Sequence, residues 1–240
     1  MKKTLLMIGL CAASSAMADD KVKPLSMDGE FGFISTSGNT ETTSFKGKLA
    51  AHQELTMWSN DFSIEALYKK DQVNDESQTT AQKYFMSAQG NYKLTNPDHR
   101  LFGFASYEDD KFSSYDYQAT LAIGWQQKLW EDETSKFSYS VGPGYSFAQT
   151  QEGESDNGLI VRGALDYQWK VSETATFKQL LSTEVGSNNT KSKSETSLSA
   201  QINGSLSLKL SLIMDHNTEV ADDRENLDTQ TAVTVVYTFF

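Results

Sequence analysis

The sequence predicts an all-β protein, a transmembrane antiparallel up-and-down β-barrel of twelve strands, and three observations support that prediction. The first is the unbroken alternation of large apolar and small or polar residues over residues 136–147 (KFSYSVGPGYSF). Successive side chains of a strand point to opposite faces, so this segment has one apolar and one polar face. The second is its length, because a tilted strand needs ~9–11 residues to cross a bilayer, against ~5–6 in soluble proteins. The third is a secretory signal at the N-terminus.

The first half of the chain repeats the alternating pattern in six segments. They cover residues 27–36, 42–57, 62–72, 82–94, 100–109 and 117–127. Residues 37–40 (SGNT) supply the turn between the first two segments. The fifth segment is the least regular, because Leu101, Phe102 and Phe104 place apolar groups on both faces. Its facing therefore stays open.

The second half of the chain supplies the other six predicted strands. They cover residues 136–147, 159–169, 176–185, 196–202, 206–215 and 229–240. An Asn-Gly turn at residues 203–204 joins the tenth to the eleventh, which carries apolar residues at every second position from Leu206 to Met214. The last strand must pair with the first, because a barrel has no free edge.

The connections between the predicted strands alternate in length, as expected when short turns lie on the periplasmic side and longer loops lie outside. The predicted inner turns are residues 59–60, 95–98, 131–134, 171–174 and 203–204, and the longer outer loops are 73–80, 110–114, 150–157, 187–190 and 217–227. Aromatic residues with a polar edge collect at membrane interfaces, and four of them mark the inner ends of predicted strands. This predicted inner aromatic girdle consists of Trp58, Tyr92, Trp130 and Trp169.

The N-terminus reads as a secretory signal peptide. Lys2 and Lys3 precede a short apolar run, and a small-residue cleavage site ends at Ala18, so residues 1–18 are the predicted signal and 19–240 the barrel domain. A lipoprotein signal at Cys11 is the weaker alternative, because the preceding Leu10 is bulky. Removal of the two lysines takes the formal charge from −11 to −13, which argues against binding of nucleic acid.

The polar faces of the predicted strands form the lumen lining. The lumen-lining candidates are Lys46, Lys48, Glu65, Lys69, Lys83, Ser138, Ser140, Arg162, Asp166, Lys178, Glu184 and Lys209. Glu30 and Asp215 share this predicted face. The charges nearly balance, and a barrel of twelve strands is intermediate between small filled barrels and wide open ones. A narrow pore is favoured, although ion pairs across the lumen could equally close it.

Acidic residues in the outer loops, among them Asp109, Asp110, Asp222 and Asp223, predict a mouth that attracts cations. An ordinary solvated loop surface explains them equally well.

The sequence offers little support for an enzyme. Its three histidines are His52, His99 and His216. The pair of Asp215 and His216 is the best hydrolase candidate, but adjacent strand residues face opposite ways and cannot form a dyad by themselves. His52 and His99 have no visible partner. We therefore expect no catalytic residue, no metal site and no cofactor.

Several motifs resemble those of the YdiY-like family of salt-induced outer-membrane proteins, whose function is undefined. They are residues 29–33 (GEFGF), 37–40 (SGNT), 107–117 (YEDDKFSSYDY) leading to Gly124, and 141–145 (VGPGY). The resemblance covers nearly all of the chain after residue 18 and implies an outer-membrane barrel in a Gram-negative bacterium. It carries over no catalytic residue.

The expected function is a narrow passive pore or a salt- or stress-related envelope protein with a mild cation preference. The alternative is a non-conducting structural barrel or one that binds lipopolysaccharide or a partner, and a hydrolase is the weakest candidate. The expected partners are outer-membrane lipid and lipopolysaccharide, small ions or solutes, and the barrel-assembly machinery, because the C-terminal Phe240 resembles the signal that this machinery recognises.

Overall fold

The computed structural model describes residues 24–36, 42–73, 76–111, 113–221 and 225–240. Twelve strands account for most of them. They are β1 (Leu25–Thr36), β2 (Thr42–Glu54), β3 (Trp58–Val73), β4 (Glu76–Lys93), β5 (His99–Asp110), β6 (Tyr115–Glu131), β7 (Ser135–Thr150), β8 (Gly158–Lys170), β9 (Ala175–Gly186), β10 (Thr190–Gln201), β11 (Leu206–Asn217) and β12 (Leu227–Thr238). Within these ranges, no helix has the length and apolar character needed to span a membrane.

Each strand pairs antiparallel with its neighbours in the chain, and β12 pairs with β1 to close the barrel. The closing contact places Gly29 opposite Tyr237 and Phe31 opposite Val235. Phe239 continues this contact, because its backbone N–H donates to the carbonyl of Met27 at 2.9 Å. The predicted fold class and the number of strands are confirmed.

The two faces of the wall differ in chemistry as the alternation predicts. On the outer face, large apolar side chains are exposed, for example Ile123 at 68% and Leu159 at 77%. On the enclosed face, charged side chains are buried, for example Lys46 at 4% exposure. This arrangement fits a barrel surrounded by lipid, because a spanning strand must present apolar groups outward while the interior can stay polar.

The facing of β5 follows from the glycines of the neighbouring strand. Leu101 is 53% exposed on the outer face, whereas Phe102 is 3% exposed inside the barrel. A Cβ atom at Gly124 would lie 2.8 Å from the Phe102 ring, so the absence of a side chain there makes room for the aromatic ring. Phe104 shares the inner face with Phe102.

Strands β6 and β7 approach closely at Gly124 and Gly142. A Cβ atom at Gly142 would lie 2.0 Å from the carbonyl oxygen of Ile123 and 2.6 Å from the Cα atom of Gly124. Pro143 follows directly and has no backbone N–H to donate to the neighbouring strand. The registered pairs of β6 and β7 lie on either side of this point: Ala122 pairs with Gly144, and Trp125 pairs with Val141. Only residues without a bulky Cβ fit between these backbones.

Several sequence-based boundaries are wrong. The fourth strand begins at Glu76, six residues before the expected start, so most of the outer loop expected at residues 73–80 belongs to β3 and β4. The inner turn expected at residues 59–60 lies at residues 55–57, where the N–H of Leu55 donates to the carbonyl of Trp58 at 2.8 Å, so Trp58 begins β3 rather than ending β2. The tenth strand begins at Thr190, six residues before the expected start.

The predicted signal peptide (residues 1–18), Cys11 and the turn at 37–40 lie outside the described residues. Asp222 and Asp223 lie outside them as well.

Candidate functional site: the charged lumen

A cluster of six charged side chains occupies the middle of the lumen. This middle cluster consists of Glu30, Lys46, Lys48, Glu65, Glu195 and Lys209. Lys209 Nζ donates to Glu195 Oε1 at 2.8 Å and to Glu30 Oε2 at 3.0 Å, and Lys48 Nζ donates to Glu195 Oε2 at 3.2 Å. The cluster therefore joins β1, β2 and β3 to β10 and β11 through the barrel interior.

A second cluster lies nearer the outer ends of the strands. This outer cluster consists of Lys83, Glu108, Asp110, Lys191, Lys193 and Asp215. Lys83 Nζ lies 3.1 Å from Asp215 Oδ2 and 3.3 Å from Glu108 Oε2, and Lys191 Nζ lies 3.2 Å from Glu108 Oε1. Lys193 adds a cation–π contact, with its Nζ 4.6 Å from the centre of the Phe85 ring.

The outer cluster crosses the lumen. Lys83 and Glu108 lie on β4 and β5, whereas Lys191 and Asp215 lie on β10 and β11, and in the strand order β4 stands six positions from β10 in either direction. Side chains from opposite walls therefore meet at ion-pair distance. Water and ions that follow the barrel axis must pass between paired charges at this level.

A third contact group fills the side of the lumen formed by β5 to β9. The guanidinium carbon of Arg162 lies 3.7 Å above the centre of the Phe104 ring, and Arg162 Nε lies 3.7 Å from Glu184 Oε1. That separation gives an ion pair but is too long for a hydrogen bond. Glu184 Oε2 instead accepts a hydrogen bond from Thr120 at 2.7 Å.

A small cavity of about 30 Å³ lies beside Glu184 and is lined also by Gln118, Thr120 and Lys191. A cavity needs ~10–15 Å³ to hold one water molecule, so this space accommodates about two. The buried amide oxygen of Gln118 has no protein partner, and water in this cavity can supply one.

The lumen-lining candidates are divided among the two clusters, separate ion pairs and strand β7. Lys46, Lys48, Glu65 and Lys209 lie in the middle cluster, Lys83 lies in the outer cluster, and Arg162 pairs with Glu184. Asp166 and Lys178 form a 3.5 Å pair between neighbouring strands, and Lys69 pairs with Asp71. Ser138 and Ser140 lie on β7, where Ser140 is buried, and neither reaches a cluster.

Sequence reasoning left five members of the two clusters out of the lumen lining: Glu108, Asp110, Lys191, Lys193 and Glu195. Asp110 was assigned to an outer loop, and Glu108 was missed because the facing of β5 stayed open. The other three precede the predicted start of β10, where residues 190–195 (TKSKSE) are polar on both faces. In the register of β10 and β11, Lys193 lies opposite Asp215. Extending the predicted pairing of these two strands outward would have placed the three residues of β10 on the enclosed face.

The three histidines have different surroundings in the structure. The expectation that His52 lacks a partner is wrong, because its Nδ1 lies 2.6 Å from Asp61 Oδ1 and its Nε2 lies 3.3 Å from Glu54 Oε2. Asp215 belongs to the outer cluster, and His216 follows it on the opposite face of β11. Among the described residues, no group of three or more metal-ligating side chains is placed to hold an ion.

Hydrogen bonds join four outer connections above the lumen. The hydroxyl of Tyr115 lies 3.3 Å from both Asp156 Oδ2 and the carbonyl oxygen of Glu219, and Asn188 donates to Asp156 at 2.8 Å. The N–H of Ala221 donates to Ser114 Oγ at 3.0 Å. The outer mouth is therefore partly covered.

Two of the acidic residues predicted for the outer loops, Asp109 and Asp110, lie at the end of β5 and are engaged in ion pairs. Asp109 pairs with Lys111 at 3.2 Å, and Asp110 pairs with Lys83 at 3.7 Å. Their charges are thus partly neutralised by lysines.

The inner end of the barrel carries the four aromatic residues of the predicted girdle. Trp58 packs edge-on against Tyr92 with ring centres 5.2 Å apart, and Trp130 lies 5.0 Å from Phe137. Trp169 is 44% exposed near the end of β8. In the adjacent turn, hydrogen bonds from the side chain and backbone of Thr134 lower the pKa of Asp132 to about 2.

A closed twelve-stranded barrel with an apolar outer face and a charged interior defines an integral outer-membrane β-barrel protein. The chain belongs to the family described as "Protein of unknown function, DUF481", whose model matches residues 29–239. It is also 24% identical over 241 residues to the uncharacterized protein YdiY of Escherichia coli (strain K12), covering 95% of this chain and 93% of that protein. The resemblance to the YdiY-like family is confirmed.

Solved structures of outer-membrane proteins share the fold. A NanC porin matches with a TM-score of 0.55 and 11% identity, over 89% of this chain and all (100%) of that one. The translocator domain of the autotransporter NalP from Neisseria meningitidis matches with a TM-score of 0.51 and 8% identity, over 91% of this chain and 90% of that one. An outer membrane channel from Pseudomonas putida F1 matches with a TM-score of 0.50 and 9% identity, over 94% of this chain and 100% of that one. The location in the Gram-negative outer membrane is confirmed, whereas export by a signal peptide stays a prediction.

Proposed function

We propose that this protein is a narrow passive pore for small ions or solutes, with a mild cation preference, whose path is constricted by ion pairs that cross the lumen. The observation that carries this proposal is the outer cluster, in which Lys83 and Glu108 meet Asp215 and Lys191 from the opposite wall. Paired charges leave a polar route along the axis while restricting its width.

The chemistry of the clusters supports a conducting role over a purely structural one. Well-packed apolar residues often stabilise a protein interior as well as, or better than, a buried ion pair of similar volume. A barrel that served only as a scaffold could therefore be filled with apolar groups. This lumen instead buries Glu30, Lys46, Glu65, Glu108 and Glu195. Ion pairs can exchange partners with passing ions, whereas packed apolar groups cannot.

A second candidate is a non-conducting barrel that binds lipopolysaccharide or another partner through its loops. The hydrogen bonds from Tyr115, Asn188 and Ala221 across the outer mouth favour this alternative, because they cover the entrance. The proposed partners are otherwise outer-membrane lipid and lipopolysaccharide, with the assembly machinery acting through the C-terminal Phe240. A connection with salt or envelope stress is implied only by the family resemblance, and the predicted hydrolase pair of Asp215 and His216 lies on opposite faces of β11.

Current recordings separate the two candidates. Folded protein is inserted into planar bilayers with different KCl concentrations on the two sides, and heat-unfolded protein serves as the control. The pore proposal expects discrete steps of small conductance and a reversal potential of the sign for cation flow. Absence of steps after demonstrated insertion would leave only the non-conducting barrel, and a reversal potential of the opposite sign would contradict the cation preference.

A further inference from the structure

The seam that closes the barrel is paired over a much shorter length than any other strand contact. Strands β1 and β12 share four registered pairs, from Asp28 with Thr238 to Phe31 with Val235. Strands β1 and β2 share twelve pairs, and β11 and β12 share eleven. Within the described parts of both strands, registered pairing across the seam stops at Phe31 and Val235.

The backbone beyond this point pairs on one side only. Residues 32–36 of β1 continue in register with β2, ending with Thr36 opposite Thr42. Residues 227–234 of β12 continue in register with β11. A Cβ atom at Gly32 would lie 2.8 Å from Thr234 Cγ2, so the two strands are still near each other where the pairing stops. Above that contact, the facing backbone groups need another partner.

Lipid cannot supply that partner. Hydrocarbon offers no hydrogen bonds, so an open sheet edge is not tolerated in direct contact with acyl chains and occurs only where water or protein reaches it. On the enclosed face of this stretch, Asp228 is exposed and Gln230 is half-buried, so water in the lumen can reach the seam from inside. The outer half of the seam is therefore a place where the lumen and the surface of the barrel communicate.

The outermost part of β12 is polar on the outer face. On β11, the apolar residues Leu212 and Met214 face outward, and their partners on β12 are Thr231 and Thr229. Both threonines are exposed. A lipid-facing wall favours apolar side chains, so the unpaired stretch runs from the lipid-facing level of Val233 towards the polar outer rim.

The seam has an apolar outer face and a polar inner face, which together match the two parts of an amphiphile. Outside, Phe33 and Val233 are 58% and 53% exposed on the membrane-facing surface. Inside, Asp228 is exposed and Gln230 is half-buried, and Thr234, which donates to Glu30 at 2.7 Å, is buried at the lower end of the stretch. An acyl chain matches the outer surface, and a polar head group matches the inner one.

We infer that the outer half of the β1–β12 seam is a lateral opening that admits a single-chain amphiphile, with its polar head in the lumen and its acyl chain in the outer leaflet. The ion pairs of the outer cluster and the covered outer mouth obstruct the axial route, whereas this stretch of the wall lacks backbone pairing. The inference goes beyond the proposed pore and does not depend on whether ions pass along the axis.

Two cysteine pairs test the opening itself. In the full chain with Cys11→Ser, the control pair Phe31→Cys/Val235→Cys lies in the registered seam, and the test pair Phe33→Cys/Val233→Cys lies two residues beyond it. A disulfide needs Cα atoms within ~7 Å, so the control pair should oxidise readily and the test pair at least about tenfold more slowly, while a longer bismaleimide joins both. Equal oxidation rates of the two pairs in lipid vesicles would overturn the inference.

Photolabelling tests the occupant. The protein is placed in phosphatidylethanolamine and phosphatidylglycerol vesicles with a fatty acid that carries a diazirine beside its carboxylate. Peptide mapping should place adducts on the enclosed face beside the seam, at Asp228 and Gln230, and joining the test pair with the bismaleimide should lower them about fivefold or more. Adducts confined to Phe33 and Val233, unchanged after joining, would show ordinary lipid contact and contradict the inference.

A measurement on the unaltered chain removes dependence on these variants. The amides of residues 32–36 and 229–233 should exchange with solvent deuterium faster than those of β11 in the same vesicles. Equal protection along β11 and both seam strands would contradict the opening even if every cysteine variant failed to assemble.

Discussion

The two sides of the lumen are filled by different means. Along β10 and β11, charged side chains such as Lys191 and Asp215 reach partners on the opposite wall. Along β6 and β7, glycines at positions 124 and 142 bring neighbouring backbones together, and the Phe102 ring lies against Gly124. Charges can separate and pair again, but two backbones in contact have no alternative arrangement. The charged side is therefore the one suited to a change between closed and conducting states.

The largest expected effect comes from the backbone contact. In Gly142→Ala, the new Cβ would lie 2.0 Å from the Ile123 carbonyl oxygen, so β6 and β7 must separate. Overpacking typically costs ~1–3 kcal/mol, and this site should reach or exceed the upper figure because backbone has to move. The control is Gly103→Ala, where no atom lies within 4 Å of the new Cβ. Urea titration of the folded form should show a large loss only for Gly142→Ala, and equal stability of the two variants would contradict the close approach.

Removal of one charge from the middle cluster should have the next largest effect. Glu195 accepts hydrogen bonds from both Lys48 and Lys209, so Glu195→Gln leaves two buried ammonium groups with one carboxylate fewer. Breaking a buried pair from one side costs ~3–5 kcal/mol, with hydration of the lumen placing the loss at the lower end. The matched control is Asp166→Asn, whose pair with Lys178 is 40% exposed on both sides. The Asp166→Asn variant should lose less than ~1 kcal/mol of folding stability in the same urea titration.

Removal of the aromatic ring beneath Arg162 should reduce the stability of the fold by a smaller amount. Phe104→Leu removes the ring that lies 3.7 Å beneath the Arg162 guanidinium and should destabilise the fold by ~1 kcal/mol. The control Phe62→Leu changes an aromatic residue on the lipid-facing surface, where it is 47% exposed. If both variants unfold at the same urea concentration, the ring contributes no cation–π stabilisation.

The smallest expected effect concerns the titration of the Asp132 carboxyl group in the turn between β6 and β7. Hydrogen bonds from Thr134 and Ser135 lower the pKa of Asp132 to about 2 from an ordinary value of 3.8. A depressed pKa contributes stability that is complete above the unfolded value and is lost as the pH falls through about 2. Carbon NMR of the Asp132 carboxyl group should therefore show a midpoint near 2, and Thr134→Ala should raise it. Thr174→Ala in the next inner turn should leave it unchanged, and a midpoint at 3.8 in the native protein would contradict the hydrogen-bonded turn.

The sequence predicted the barrel well because lipid imposes a strict alternation wherever the wall crosses the membrane. The pattern fails where that constraint ends. In β10, residues 190–195 rise towards the outer rim and are polar on both faces, so their membership of the strand was missed. At the inner end, alternation continues through Leu55 and Met57 into the turn itself, which displaced the predicted turn towards residue 60.

The ion-pair partners lay beyond the reach of sequence reasoning for a different reason. Alternation places Lys83 and Asp215 on the enclosed face, but their meeting depends on the tilt and offset of strands that are separated by 132 positions in the chain. Neighbouring pairs such as Arg162 and Glu184 follow from register alone. Contacts across the lumen require the closed barrel.

Single-channel conductance of a charge-removed variant tests the central claim most directly. Lys83→Ser, Glu108→Ser, Lys191→Ser and Asp215→Ser together remove the pairs that cross the lumen while leaving the net charge unchanged. The control Asp166→Ser/Lys178→Ser also removes a neutral pair, but one formed between neighbouring strands. We predict larger conductance steps for the four-residue variant than for the native protein and the control. Equal conductance in all three, with folding verified, would show that the ion pairs do not constrict the pore.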